Sequence, residues 1–197
     1  MPLERSCATP LANADSLRCA ACDARPPPFS RTIAPLLYDD VVAGLVHAHK
    51  FRGSTIHGRV IATLLAARVR AAYVSTPLPS AIVPVPLSMR RLLRRGQNQA
   101  AAIARRVGAT LGIPVDYDGL RRIRHTAPQS GMTRAERLRN LAGAFAFHGT
   151  LDGTTVAVVD DVVTTGATVR AVARCLGRAG AGDVHVWAVA RTDRDAL

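Results

Sequence analysis

The run Val156-Ala-Val-Val-Asp160-Asp161-Val-Val-Thr164-Thr165-Gly166-Ala-Thr168 constrains this chain more than any other segment. The small apolar residues ahead of Asp160 read as a buried strand, since a short valine-rich run bounded by turn residues suits a sheet interior. Asp160 and Asp161 then stand at its carboxyl end. A Thr/Gly turn follows, and an apolar-periodic helix begins near Thr168. In open α/β sheets, ligands sit beyond the carboxyl ends of the strands. The turn brings backbone N–H groups and hydroxyls to a helix N-terminus, a setting that suits a phosphate. Two carboxylates beside a phosphate would repel it unless they engage sugar hydroxyls or a divalent cation. The segment therefore asks for a sugar phosphate with vicinal hydroxyls, accompanied by Mg2+. The competing interpretation is a plain strand-to-helix turn, in which Thr164 or Thr165 is an N-cap and the aspartates complement the helix dipole. The full string, flanked by strand and helix, favours the sugar-phosphate site. A P-loop is excluded because no G-x-x-x-x-G-K-[ST] occurs. A dinucleotide fold lacks support, because no G-x-G-x-x-G follows a strand.

The rest of the chain alternates in the same way. Residues 40–51 and 55–73 show helical spacing, and Ala81 to Pro86 reads as a short buried strand whose prolines fall at its end. A basic, glycine-punctuated loop through Arg95-Gly96-Gln97-Asn98 leads into an amphipathic helix from about Asn98 to Leu111. Residues 113–117 suggest another strand, residues 125–131 a loop, and residues 134–141 a helix. Residues 184–190 form a last buried strand. The expected fold class is α/β, a mostly parallel sheet flanked by helices, with a small cysteine-containing segment at the N-terminus. The expected division is 1–30 for that segment and 31–197 for the main domain.

Apolar residues make up 48% of the 197, enough for a packed core. The first residues lack a continuous apolar stretch, and the stretch 60–74 is interrupted by Arg68 and Arg70. Neither a secretory signal nor membrane insertion is expected, which leaves a cytoplasmic location as the default. The net charge of +12 comes almost wholly from arginine; it fits an ordinary solvated surface as well as attraction for phosphorylated or polymeric anions, and by itself decides neither. Aromatics, at 4%, are too sparse for a clear base-stacking platform.

Cys19-Ala-Ala-Cys22 has the spacing of half a tetrahedral zinc site, and Cys7-Ala-Thr-Pro10 resembles a second C-x-x-C whose last member is proline. Asp15, Asp23 or a distant histidine would complete the ligand set, and spacing selects none of them. A zinc knuckle built on Cys7, Cys19 and Cys22 and a metal-free remnant both remain open. Cys175 reads as a small core residue of the last helix.

The 156–168 segment resembles the phosphoribosyl pyrophosphate (PRPP) motif of type I phosphoribosyltransferases. That resemblance implies that Asp160 and Asp161 hold the ribose 2′- and 3′-hydroxyls. It also implies that Thr164, Thr165, Gly166, Ala167 and Thr168 wrap the 5′-phosphate. Further stretches resemble the ComF family, phosphoribosyltransferase-like proteins linked to bacterial DNA uptake during competence. They are Tyr38, Lys50-Phe51-Arg52-Gly53, Val83-Pro-Val-Pro86 with Arg95-Gly96-Gln97-Asn98-Gln99, the set Leu120, Arg122, Arg124, Thr126 and Gln129, and Arg137, Asn140 and Gly143-Ala-Phe145. The chain departs from the family at Gln97, where phenylalanine is usual, and in lacking a fourth cysteine. By this resemblance Arg95, Gly96, Gln97 and Asn98 meet pyrophosphate, glycine allowing close backbone approach and the following helix favouring an anion. Arg122, Arg124 and Gln129 suit a flap that closes over PRPP and excludes water, and an ordinary basic surface is the equal alternative. The implied activity is transfer of 5-phosphoribosyl to an acceptor that no motif reveals, with Mg2+ present. The alternatives are a non-enzymatic adaptor that binds single-stranded DNA or a DNA-uptake helicase, and a PRPP-sensing regulator. The sequence leaves a homo-oligomer open.

Overall fold

The computed structural model describes residues 7–8, 19–51, 55–89, 92–93, 96–124 and 134–192. Its centre is a parallel sheet of β1 (Arg31–Ile33), β2 (Leu36–Leu37), β3 (Ala81–Pro84), β6 (Thr155–Val163) and β7 (Asp183–Arg191). Strand β7 pairs with β6 on one side and with β1 and then β2 on the other, while β3 lies outside β6. A separate antiparallel ribbon joins β4 (Leu120–Arg122) to β5 (Phe145–Phe147). The helices are α1 (Ala20–Ala24), α2 (Asp40–Phe51), α3 (Thr55–Ala72), α4 (Gln99–Leu111), α5 (Arg134–Leu141) and α6 (Ala167–Arg178).

Both faces of the sheet are covered, which is why its central strands are apolar almost throughout. Val156, Val158, Val184 and Val186 face Val169, Val172 and Leu176 of α6, together with Leu141 and Phe145. Ala157, Val159, Trp187 and Val189 face Leu65 and Val69 of α3, Ile103 and Val107 of α4, and Val42 and Val46 of α2. This two-residue alternation is the pleat of β6 and β7 read out in packing. Cys175 is buried in the first of these cores, as expected, and burial raises its thiol pKa. Phe29 packs there too, and Ser30 N–H donates to Val184 O, so the chain preceding β1 is seated on the sheet.

The sequence anticipates the large elements and misses the small ones. Residues 113–117 do not form a strand: Val115 makes one isolated bridge to Ile82. The reason is local. Asp116 Oδ1 accepts from the N–H groups of Asp118 and Gly119, an Asx turn that ends extended backbone after one bridge. Strands β1, β2, β4 and β5 are two or three residues long, too short for periodicity to show.

A side-chain chain crosses the amino end of the sheet. Trp187 Nε1 donates to Tyr73 Oη at 3.3 Å, Tyr73 Oη lies 2.6 Å from His185 Nδ1, and His185 Nε2 lies 3.1 Å from Asp183 Oδ2. Ser30 Oγ donates to the same carboxylate oxygen at 2.5 Å. Burial lowers the His185 pKa, so the ring is neutral at pH 7. A carboxylate only accepts, so the single ring proton belongs on Nε2 and Tyr73 donates to Nδ1. Burial also pushes the Tyr73 phenol up to about 12, keeping that proton in place. Every donor in the chain points toward Asp183.

Candidate functional site

At the opposite end, β6 runs through both aspartates to Val163 instead of stopping at Val159. Asp160 and Asp161 are half-buried. Each carboxylate accepts from the next backbone N–H: Asp161 N to Asp160 Oδ1 at 2.8 Å, and Val162 N to Asp161 Oδ1 at 2.7 Å. Strict alternation would send adjacent side chains to opposite faces of the sheet. Here the pleat changes phase. Up to Val159 the even-numbered residues of β6 pack under α6, but beyond the acidic pair Val162 joins the opposite core and Val163 the α6 core. The β6–β7 register also passes from Asp160↔Ala188 to Val162↔Ala190 without a partner pair at Asp161. The change of phase frees the two carboxylates from the obligation to face apart.

The turn that follows is shaped by glycine. Gly166 has φ of +75°, a left-handed conformation that glycine adopts without the strain of a side chain, and it is the N-cap of α6. No side chain caps α6 at that position, so the competing interpretation, in which Thr164 or Thr165 is the N-cap, does not hold. Thr165 Oγ1 instead accepts a long bond from Ala167 N at 3.4 Å. Thr164 is exposed, Thr165, Gly166 and Thr168 are half-buried, and Ala167 is buried. The first turn of α6 therefore presents backbone donors beside the acidic pair, the arrangement that holds a phosphate at a helix N-terminus.

One residue at this site escaped sequence reasoning. Arg191, only 1% exposed at the end of β7, donates from Nη1 to Val163 O at 2.8 Å and also to Thr164 O. It ties down the start of the turn and is a positioning residue. Its sequence signal is faint but present: a lone cation ending the run Val184–Ala190.

The loop expected to meet pyrophosphate follows the neighbouring strand. Val85 N–H donates to Val159 O, so the end of β3 lies beside Asp160. Asn98 Nδ2 donates to Val85 O at 3.0 Å, while its Oδ1 accepts from Ala100 N at 3.1 Å. Asn98 is thus the N-cap of α4 and fastens that helix start to β3. Gly96 has φ of +72° and Gln97 is half-buried. Arg95 lies outside the described residues. The structure therefore brings Gly96, Gln97 and Asn98 to the carboxyl end of the strand adjacent to that of Asp160 and Asp161.

The flap residues divide. Arg122 stacks its guanidinium 5.6 Å above the Phe145 ring. Arg124 Nη2 donates to Asn140 O at 2.9 Å and Ala142 O at 2.8 Å, occupying carbonyls at the end of α5. Arg122 thus packs on the β4–β5 ribbon, and Arg124 is fastened to the end of α5. Gln129, His125 and Thr126 lie outside the described residues.

The sulfur atoms of Cys7, Cys19 and Cys22 all fall within 4.8 Å of one another, with Cys7 and Cys22 buried and the Cys7–Cys19 separation 3.6 Å. Zinc–thiolate bonds of about 2.3 Å in a tetrahedron require sulfurs roughly 3.8 Å apart, so three donors fit that ion. No helix among the described residues is long and apolar enough to cross a membrane.

A parallel sheet covered on both faces, with an acidic pair and a phosphate-shaped turn at its carboxyl end, defines a type I phosphoribosyltransferase-like fold. Comparison agrees. Residues 92–196 match the phosphoribosyl transferase domain family. The chain is 40% identical over 179 residues to the DNA utilization protein YhgH of Salmonella typhi, spanning 90% of this chain and 79% of that relative. It is 33% identical over 178 residues to Competence protein F of Haemophilus influenzae, spanning 88% and 78% respectively. Among solved structures, a purine phosphoribosyltransferase from Pyrococcus horikoshii aligns with a TM-score of 0.42 at 20% identity, covering 68% of this chain and 72% of the other. The chain belongs to the ComF family of phosphoribosyltransferase-domain proteins.

Proposed function

We propose that the chain binds PRPP and transfers its 5-phosphoribosyl group to an acceptor nucleophile, releasing pyrophosphate. The observation that carries this reading is the phase change at Asp160–Asp161, set directly before the glycine-shaped turn. In this reading Asp160 and Asp161 accept hydrogen bonds from the ribose 2′- and 3′-hydroxyls. The hydroxyls of Thr164, Thr165 and Thr168 and the N–H groups of Gly166 and Ala167 surround the 5′-phosphate, and Arg191 keeps the turn in place. Gly96, Gln97 and Asn98, with Arg95, meet the pyrophosphate. The acceptor attacks C1′ while the C1′–O bond breaks, and pyrophosphate departs with the electron pair. When bound with PRPP, Mg2+ would neutralise charge on the leaving group, and the half-buried carboxylates of Asp160 and Asp161 would face the positive charge that develops on the sugar. Titration calorimetry with PRPP and Mg2+ tests the reading. Heat of binding that disappears in Asp160→Asn/Asp161→Asn supports it, and no heat with the wild-type chain overturns it.

Cys7, Cys19 and Cys22 would hold Zn2+ and staple a segment too short for its own core. Metal analysis of the purified protein is the check: about one zinc per chain, lost in Cys22→Ser, is the expected result.

A second reading is direct contact with single-stranded DNA in DNA handling, and one observation favours it. The stretch from Val41 to Val115 contains no Asp or Glu but includes eleven of the 26 Lys and Arg residues. Mobility shifts across a salt series test this, since phosphate contacts produce a steep slope. Binding that is indifferent to salt rules it out.

A further inference from the structure

Helix α3 carries an apolar stripe that the fold leaves uncovered. Ile56, Val60 and Leu64 recur at four-residue spacing and are 72%, 45% and 41% exposed, whereas Ile61, Leu65 and Val69 of the same helix are buried. That spacing places the three exposed side chains on the side of the helix away from the core. Ala67 and Ala71, also exposed, continue the stripe over about 22 Å at 1.5 Å per residue. At 100° per residue, Arg59 and Arg70 fall along one margin and Arg68 along the other, and all three are exposed. Arg70 Nη2 reaches Thr110 O of α4 at 3.1 Å, so its margin continues onto a helix that adds exposed Arg105. The face is thus a greasy centre with cationic edges.

We infer that this face docks an amphipathic helix of a partner protein whose apolar ridge is flanked by acidic residues. Charge complementarity selects the occupant. All 14 acidic residues of the chain lie outside Val41–Val115, so nothing in that stretch neutralises the margins. A second copy docked through the same face by a two-fold axis would set Arg59, Arg68 and Arg70 against like charges. A nucleic-acid backbone would pair with the arginines but lay phosphates across Ile56, Val60 and Leu64. Neither α3 nor α4 contains Phe, Tyr or Trp to stack on bases. An acidic amphipathic helix satisfies centre and edges together, by the helix-in-groove mode in which residues at i, i+4 and i+7 serve as anchors. None of Ile56, Val60, Leu64, Arg59, Arg68 and Arg70 is among the residues proposed to hold PRPP, so the inference stands independently of that reading.

The test uses the full chain and three synthetic helical peptides, read by fluorescence anisotropy. One peptide has a leucine ridge with glutamate flanks, the second the same composition scrambled, and the third lysine in place of glutamate. The expected result is at least about tenfold preference for the first, roughly the effect of one lost anchor. Val60→Glu and Ile56→Glu should each abolish that preference. Arg59→Glu with Arg68→Glu should weaken the first peptide and strengthen the third. PRPP affinity and the melting temperature should stay unchanged in Ile56→Glu, which alters the most exposed of the three large apolar side chains and serves as the folding control. Equal binding of the scrambled peptide, or full binding by both glutamate variants, overturns the inference. So does a wild-type dimer that Ile56→Glu converts to monomer in sedimentation, which would make the face a self-interface. Binding of duplex DNA or phosphatidylglycerol vesicles that is lost in Ile56→Glu, with no peptide preference, overturns it as well.

Discussion

The two ends of the central sheet use polar residues in opposite ways. At the amino end, side chains from three segments close on each other: Trp187 to Tyr73, Tyr73 to His185, and His185 and Ser30 to Asp183. At the carboxyl end, Asp160, Asp161 and Thr165 fold back onto backbone N–H groups one or two residues away. Long-range side-chain bonding locks tertiary structure, because each partner fixes another element. Short-range bonding shapes the acidic pair and the turn, and their relation to the rest of the molecule is left to the backbone and to Arg191, which holds Val163 O and Thr164 O from β7. The first arrangement suits stability and the second suits a ligand site.

The contrast can be broken by substitution at either end. The largest effect is expected from Asp160→Asn/Asp161→Asn. Removing two charge-assisted hydrogen bonds should weaken PRPP binding by about 100-fold or more, with little change in melting temperature. Calorimetry and a thermal melt check the two halves of that statement. Tyr73→Phe should invert the pattern. It strips a partner from both Trp187 and His185 in a buried setting, which costs about 2 kcal/mol of stability while PRPP affinity stays level. Denaturant unfolding measures the loss. A fall in PRPP affinity with unchanged stability would erase the distinction between the two ends.

Gly166→Ala should have a smaller effect and a mixed one. The added Cβ meets Val163 and Val169 at 3.9 Å, ordinary contact, so the penalty comes from the left-handed backbone alone. About 1 kcal/mol of strain is expected, together with PRPP binding weakened several-fold as the turn relaxes. The smallest effect concerns pH. Burial lowers the folded-state pKa of His185 below its ordinary 6.5, so the unfolded chain takes up the proton first as pH falls. Stability from this residue is therefore complete above 6.5, declines as pH drops below it, and levels off beneath the lowered folded value. Melting temperatures from pH 8 to pH 5 should show that decline, and His185→Gln should flatten it. In Tyr73→Phe the His185 pKa, followed by NMR, should rise, because the neutral ring loses its donor.

How much of this was legible in advance depends on how local the determinant is. The acidic pair, the glycine turn and the helix starting beside them lie in one continuous string, and string order is what a sequence displays. Asn98 was legible as part of a basic loop but not as the N-cap that ties α4 to Val85, since that bond joins residues from two elements. Thr164 and Thr165 looked like caps by residue type. The structure gives the N-cap position to Gly166, because a left-handed turn there outweighs side-chain preference. Arg122 and Arg124 matched a spaced pattern, yet stacking on Phe145 and capping α5 are tertiary contacts that no spacing encodes. Ile113–Tyr117 had the composition of a strand and lost it to the Asx turn at Asp116.

The sequence by itself determined the alternation of strands and helices, the acidic pair and glycine turn at the carboxyl end of β6 and the sign of the charge, because these follow from neighbouring residue types. Tertiary structure alone decided that the pleat of β6 changes phase at the acidic pair, that Arg191 restrains the turn from a different strand, and that three cysteines converge. It also decided that the stripe on α3 faces away from the core. Those outcomes depend on which elements pack together, and that is fixed by the sum of many distant contacts.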